Sequence, residues 1–353
     1  MKRIISAVLV AALSLSAFAA CGKTEEVATE TTVVAEADSA STEASGTTVT
    51  MADGEKELPE EFGNFAILDW GYLDHCLHMG VTPVASPITN EPAEDATNAQ
   101  IVSYLDGYGR FYPDRSVLEN IIPINATDDG IDFEQLLELN VDYIITSESN
   151  IEYADKLNAI APTYFLPSAL STDEEGYKDW KQIHETLALL IDRVEEAEAN
   201  IAAYDATVEE YNTLIEEAGI DLEGKTAIVT QISTKGVQYS LATSHPHVYV
   251  NLGLSLPEGF PEESGYLALE NLLEFDPDYL FINVESWEDF AEYEASPIWQ
   301  NLTAVQNGNV FEFAHNVWNR SNGSMAAYMR VTDVSNFVLD GTQVTNRYDY
   351  LEN

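Results

Sequence analysis

Two stretches of the chain share one order of apolar and polar positions. Read from Glu134 and from Glu270, each runs Glu, polar, Leu-Leu, Glu, apolar, two linker residues, Asp-Tyr, then an apolar run. In the first copy Phe133, Leu136, Leu137 and Leu139 recur at helical spacing, which predicts a short helix. Tyr143 to Ile145 and Tyr279 to Ile282 are continuous apolar runs, the pattern of a strand buried on both faces of a parallel sheet. A helix feeding a strand, repeated with a whole lobe between the copies, predicts two α/β lobes of one design.

The pattern between and around the copies fills in those lobes. Phe65 to Leu68 reads as a buried strand that breaks at Asp69-Trp70-Gly71, and Tyr72 to Met79 reads as a helix stopped by Gly80. Val81 to Val84 is the next expected strand, giving the strand, helix, strand order of a doubly wound fold. Gln100 to Leu105 reads as helix, Ile121 to Ile124 as strand, and Ile160 to Phe165 closes the first lobe. A helix from Tyr177 to Leu190 follows. Asp192 with Glu195 three positions on resembles an N-capping box that starts a second helix running to Ala218, with Gly219 as its stop. Its apolar residues (Val194, Ala197, Ile201, Tyr204, Val208, Tyr211, Leu214 and Ile215) recur every three or four positions. Some 26 residues at about 1.5 Å each span roughly 40 Å, the length of a rigid spine between two lobes. The second lobe is expected to restart at Thr226 to Thr230, continue through Val237 to Leu241 and Val310 to Phe313, and end in a helix from Ser324 to Leu339.

Charge and the N-terminus place the chain. Against 15 Lys and Arg stand 61 Asp and Glu, a net charge of −46, which argues against nucleic acid and anionic membrane surfaces as partners. Lys2 and Arg3 precede an apolar core from Ile4 to Leu15 that is short for a membrane span. Phe18-Ala19-Ala20-Cys21-Gly22 resembles a bacterial lipobox, with Phe18 where an aliphatic residue is usual, and marks Cys21 as the lipid-bearing residue. Plain secretion with cleavage near Ala20 is the alternative. Cys76 is the only other cysteine, so no disulfide is expected within the chain. The organisation expected is a signal peptide over 1–20, a disordered tether over 21–60 rich in Thr, Ser, Ala and Glu, a lobe over 61–190, the interlobe helix over 191–218 and a lobe over 219–353.

Candidate chemistry concentrates on strand-end loops. No Gly-rich phosphate loop, nucleophile elbow or zinc-protease helix is present. His75 and His78 sit three apart on a helix, and His245-Pro246-His247 puts two imidazoles in one loop, but neither spot has a third metal ligand nearby in sequence. For His75 and His78 a solvated helix face is the expectation. Trp70, Arg110, Lys235, His245, Trp318 and Arg320 all fall on loops that follow strands. In so acidic a chain these cations would form a positive spot, with Arg forks for carboxylate or catecholate oxygens and aromatic walls beside them. Pairing of each Arg with a surface carboxylate, and Trp318 in the core, is the competing reading.

From the first lobe onward the chain resembles the substrate-binding lipoproteins of iron–siderophore and cobalamin ABC importers. The resemblance is carried by Ile67-Leu68-Asp69 through Asp74, Met79 through Val84, the Glu-Gln-Leu-Leu-Glu-Leu repeat ending at Tyr143, Ile160 through Thr163, and Trp299 through Val310. It implies a class III periplasmic-binding-protein-like fold, with two doubly wound α/β lobes joined by one long rigid helix, a shallow cleft and little closure. It implies a monomer without enzymatic activity or intrinsic cofactor, held to the membrane by the lipid on Cys21. The implied partners are a permease and ATPase complex and a small iron chelate, a Fe(III)–siderophore. It also implies that one exposed Glu on each lobe, here Glu134 and Glu270, pairs with permease arginines; Ala268 departs from the Ser usual before the second. Haem with His245 as axial ligand, cobalamin, and a non-transport surface sensor on the same fold are the alternatives.

Overall fold

The computed structural model describes residues 48–343 apart from 70, 88–117, 119, 128–129, 234, 285–286, 314–315 and 321–322. Cys21, Trp70 and Arg110 lie outside the described residues, and of Arg320 the backbone alone is described. Strands β1 (Thr48–Met51) and β2 (Gly54–Glu57) pair antiparallel at the start. Composition places these residues in the tether. They fold because Val49 and Met51 alternate onto one face and bury, while Ala52 N–H donates to Phe165 O at 2.8 Å and Tyr164 Oη to Glu57 O at 3.0 Å.

The first sheet is wholly parallel, in the order β5-β4-β3-β8-β9. It is built from β3 (Phe65–Ile67), helix α1 (Gly71–His78), β4 (Ala85–Pro87) and β5 (Ile122–Ile124). A small hairpin of β6 (Ala126–Thr127) and β7 (Gly130–Ile131) leads to α2 (Phe133–Glu138) and β8 (Tyr143–Ser147). Then come α3 (Ala154–Ile160) and β9 (Thr163–Leu166). The β4 strand starts one residue after the expected Val81–Val84 segment ends. Pro83 has no N–H to give a ladder, and Val84 N–H is the first to reach β3, at Phe65 O.

Two helices follow, α4 (Lys181–Ile191) and the 24-residue α5 (Val194–Glu217). Asp192 does not open α5. It closes α4 in the left-handed region at φ 56°, and Arg193 precedes α5 with no side-chain cap. The spine packs less of itself than its periodicity predicts. Ala197 and Ile215 are buried, while Val194 and Leu214 at its two ends are 41% and 40% exposed.

The second sheet has the order β12-β11-β10-β13-β14, from β10 (Ala227–Ser233), β11 (Gly236–Tyr239) and β12 (Gly265–Leu267) to β13 (Tyr279–Val284) and β14 (Val310–Glu312). Its β10, β13 and β14 are parallel; β11 pairs antiparallel with both β10 and β12 and makes it a mixed sheet. Helix α6 (Leu269–Phe275) feeds β13, and α7 (Trp287–Ala295), α8 (Pro297–Gln300) and α9 (Thr303–Asn307) precede β14. The two repeat copies thus become α2–β8 and α6–β13, and each strand lies beside the first parallel strand of its sheet. The last helix, α10 (Ser324–Asp340), returns against the spine.

One apolar core runs through both halves. It joins Phe65, Leu73 and Tyr143 of the first, Leu187 and Ala197 of the two helices, and Phe281, Trp318 and Met325 of the second. A polar tie crosses with it: the Asp74 carboxylate of α1 accepts from Met325 N–H at 2.8 Å and Ala326 N–H at 3.1 Å, capping α10 from the other half. A cap of this kind contributes about 0.5–2 kcal/mol and sits where the helix dipole favours a negative charge. Gly323 is required beside it, since a Cβ there would overlap the Asp74 side chain.

The same joint overturns the expectation of a solvated His75 and His78. His75 is 1% exposed and its Nδ1 meets Nδ1 of His184, a residue of α4, at 3.0 Å. His78 is part-buried and bonds Ser324 Oγ at 2.9 Å. Six of the eight residues of α1 are buried, so it has no solvent-facing stripe for them to occupy.

Candidate functional site

In each sheet the chain winds outward from one strand in both directions. The reversal lies between β3 and β8 in the first sheet and between β10 and β13 in the second. Ligands of open α/β sheets bind outside the carboxyl ends of the strands at such a point. Those ends are Leu68-Asp69 and Ser147-Glu148 on one side, and Ser233 and Val284 on the other. Lys235 stands exposed in the β10–β11 turn beside them, its N–H on Ser233 Oγ at 3.2 Å.

The structure brings His245 and Trp318 together. They line a cavity of about 260 Å³ with Lys178, Gln231, Gln238, Ser240, Ser244 and Asn319. Gln231 and Gln238 come from the paired strands β10 and β11, a rigid floor. Ser244 and His245 come from the segment that leads into a five-residue π-helical turn, His247–Asn251, and Trp318 and Asn319 from a second such turn, Asn316–Arg320. Turns of this width are often found at functional sites. Arg330 of α10 fixes the second turn, its Nε donating to Val317 O at 2.8 Å.

Trp318 belongs both to the core and to the cavity. It stacks on Phe313 (centroids 4.5 Å apart, planes 13° apart) and takes the edge of His247 at 4.2 Å. It is 1% exposed. Its Nε1, both ring nitrogens of His245 and Nε2 of His247 are buried without a hydrogen-bond partner among the described residues. Leaving such groups unmatched costs about 1–3 kcal/mol each, so the four form a patch suited to a polar partner.

Electrostatics at this spot are those of crowded cations. Burial, then Arg330 and Lys178, hold His245 well below the usual imidazole range; burial, His245, Arg330 and Lys178 do the same to His247. Both rings are therefore neutral at pH 7, each with one donor and one acceptor nitrogen. Burial and then Arg330 also lower the pKa of Lys178. A second cavity of about 320 Å³ shares Lys178 and takes Pro246 and His247 from the same turn, but much of its wall is already paired, as in Lys181–Asp205 at 2.6 Å. Among the described residues no group of three His, Cys, Asp or Glu is placed to hold a metal ion.

Glu134 and Glu270 occupy the same place in the repeated unit, the second residue of α2 and of α6. Both are exposed, and among the described residues neither makes a hydrogen bond or ion pair. The two helices are capped differently: Asp132 accepts from Gln135 N–H at 2.9 Å in the first, while Ala268 offers no side-chain cap in the second.

Sequence reasoning missed Lys178, Gln231, Gln238 and Asn319. Lys178 was hidden because Tyr177 to Asp179 reads as the first turn of a helix. In the structure Lys178 instead lies in an extended crossover, bridged to Thr172 and donating its N–H to Thr243 O at 2.8 Å. A cation between Asp173 and Asp179 in an acid-rich segment was the available signal.

Two lobes built on parallel strands, a long helix between them and a polar cavity at the strand ends define a binding protein. The chain belongs to the periplasmic binding protein family, matched over residues 66–316. Among its Bacillus subtilis relatives, YhfQ, provisionally assigned as an ABC transporter substrate-binding lipoprotein, is 25% identical over 84% of this chain and 87% of its own length. The Fe(3+)-citrate-binding protein YfmC of the same organism is 24% identical over 76% of this chain and 78% of its own. The solved structure of the petrobactin-binding protein YclQ from Bacillus subtilis superposes with a TM-score of 0.62 at 18% identity, covering 84% of this chain and 99% of YclQ, a likeness of fold.

Proposed function

We propose that the chain binds a ferric siderophore or ferric carboxylate outside the cytoplasm and delivers it to the permease of an ABC importer, without catalysing a reaction. The observation that carries this reading is the polar cavity at His245 and Trp318, set at the strand ends of a fold whose named relatives include iron-chelate binders. Trp70, Arg110, Lys235 and Arg320 complete the site around the chelate, and Glu134 and Glu270 are the docking carboxylates, one from each lobe. The lipid on Cys21 and the tether hold the domain at the membrane, and the protein acts as a monomer.

The test is uptake of radioactive iron from ferric citrate and from ferric siderophores by cells with and without the chain. Restoration of uptake by the full chain for at least one chelate is expected. Equal uptake in both strains for every chelate would remove the transport role and favour a sensor on this fold.

A further inference from the structure

Helices α2 and α6 both begin at the carboxyl end of a sheet. Each lies in a crossover between parallel strands, β5 to β8 in the first sheet and β12 to β13 in the second. Each therefore runs back against its strands and starts where they stop, on the side where open sheets bind their ligands. The start of α2 is held there: Gln135 Nε2 donates to Pro123 O at 2.7 Å and Asp132 N–H to Asn125 O at 3.1 Å.

The two leucines of the repeated unit part company on this helix. Leu136 is fully buried, as Leu272 is in the second copy. Leu137 is 62% exposed, the barest of the large apolar side chains among the described residues. Its counterpart Leu273 is partly buried against the core of the second sheet, where α6 packs on α8. Leu137 has company on the surface. Phe133 lies one turn before it on the same face, with the edge of Tyr153 at 5.7 Å and Lys156 Nζ at 4.9 Å from its ring. Ile151, two residues before Tyr153, is also exposed. Exposed Glu134, Glu138 and Lys156 border these apolar groups, and an apolar patch with a charged rim is the make-up of an interaction surface.

We infer that Leu137, with the Phe133 ring beside it, is the apolar anchor of the first lobe's contact with the permease, seating in an apolar recess next to the cation that pairs with Glu134. The inference rests on the docking role proposed for Glu134 and deepens it. Leu137 stands three positions after Glu134, so both side chains reach the same partner surface. Charge selects that partner. A second copy of this chain would set Glu134 and Glu138 against carboxylates of its own in a molecule of net charge −46, whereas a basic protein face complements them. The second lobe carries a like pairing, with Tyr266 50% exposed on β12, four residues before Glu270.

Uptake of radioactive iron from ferric citrate and ferric siderophores by cells lacking the chain, complemented at limiting expression with the unaltered chain or a variant, tests this. Leu137→Ala should lower the rate about 10-fold on every chelate that the unaltered chain restores, the scale of one lost leucine contact. Leu137→Met keeps the apolar bulk and retains most of the rate. Higher expression of Leu137→Ala recovers uptake, as mass action requires of weakened docking. Chelate affinity and the thermal midpoint of purified Leu137→Ala match those of the unaltered chain, whereas Leu273→Ala lowers the midpoint. Full uptake with Leu137→Ala would overturn the inference and leave the transport reading standing. A drop in its chelate affinity or midpoint would also overturn it, by making the residue structural. Self-association of the unaltered chain that Leu137→Ala abolishes, with uptake intact, would assign the patch to a second copy instead. No uptake from any chelate with the unaltered chain removes both the inference and the transport reading.

Discussion

Replacing Glu134 and Glu270 together by alanine lowers iron uptake to that of cells lacking the protein, while chelate affinity stays within about twofold because neither residue lines the cavity. Both carboxylates are exposed and unpaired among the described residues, and both occupy the second position of the repeated helix. The helix dipole favours a carboxylate in the first turn of each helix, which is compatible with docking. Truncating one partner of a desolvated carboxylate–arginine pair costs about 2–5 kcal/mol. Two such losses are of the order of the roughly 8 kcal/mol that holds a micromolar complex. Either single substitution should leave a partial rate. Intact uptake in the double variant would show that the permease is recognised through another surface, and lost chelate affinity would show that the two helices serve binding.

Acid unfolds this protein earlier than its carboxylates alone would dictate. Five of the six histidines are held below the usual imidazole range, and burial is the leading cause for each. His184 is brought down to about 3, and His75, His245 and His247 are well below the ordinary value. In the His75–His184 pair only one hydrogen fits between the two Nδ1 atoms 3.0 Å apart, so protonating both sets two donors against each other. The folded state therefore keeps these rings neutral while the unfolded chain takes up protons below about pH 6.5. Stability is present in full above that pH and is lost as pH falls from there toward the folded values, at about 1.4 kcal/mol per pH unit for each histidine.

Taking His75, His245 and His247 alone, the loss between pH 7.5 and 5.5 is about 4 kcal/mol, a large share of a typical 5–15 kcal/mol. Relief of the repulsion behind the −46 net charge works the other way. Carboxylates titrate near pH 4, so that relief arrives later and the histidines decide the outcome at pH 5.5. Thermal unfolding followed by circular dichroism should show the midpoint falling by about 8–15 °C over this interval. A midpoint that is flat or rises on going to pH 5.5 would contradict the buried, neutral histidines.

What could be read in the sequence was what period alone encodes. The repeated Glu-polar-Leu-Leu unit became α2–β8 and α6–β13 in matching places, because a parallel strand buried on both faces leaves a continuous apolar run. The long helix was legible for the same reason, down to its stop near Gly219. Its start was not, because an Asp that closes one helix in the left-handed region and an Asp that caps the next occupy the same place in sequence. The site was half legible. His245 and Trp318 were found as loop residues after strands, but Lys178 and the strand-borne Gln231 and Gln238 depend on contacts between distant segments. The histidine joint shows the limit most plainly. His75 and His184 are 109 positions apart, and nothing within an eight-residue helix tells a solvated face from one enclosed by three other helices.

The most direct test of the central claim is a tryptophan-fluorescence titration of residues 22–353 with ferric citrate, ferric siderophores, haem and cobalamin. Trp318, at the wall of the cavity, is the reporter. The account predicts saturable quenching by at least one ferric chelate at about micromolar concentration or below, where haem and cobalamin give none. Silence to every ferric chelate with saturable binding of haem or cobalamin would contradict it.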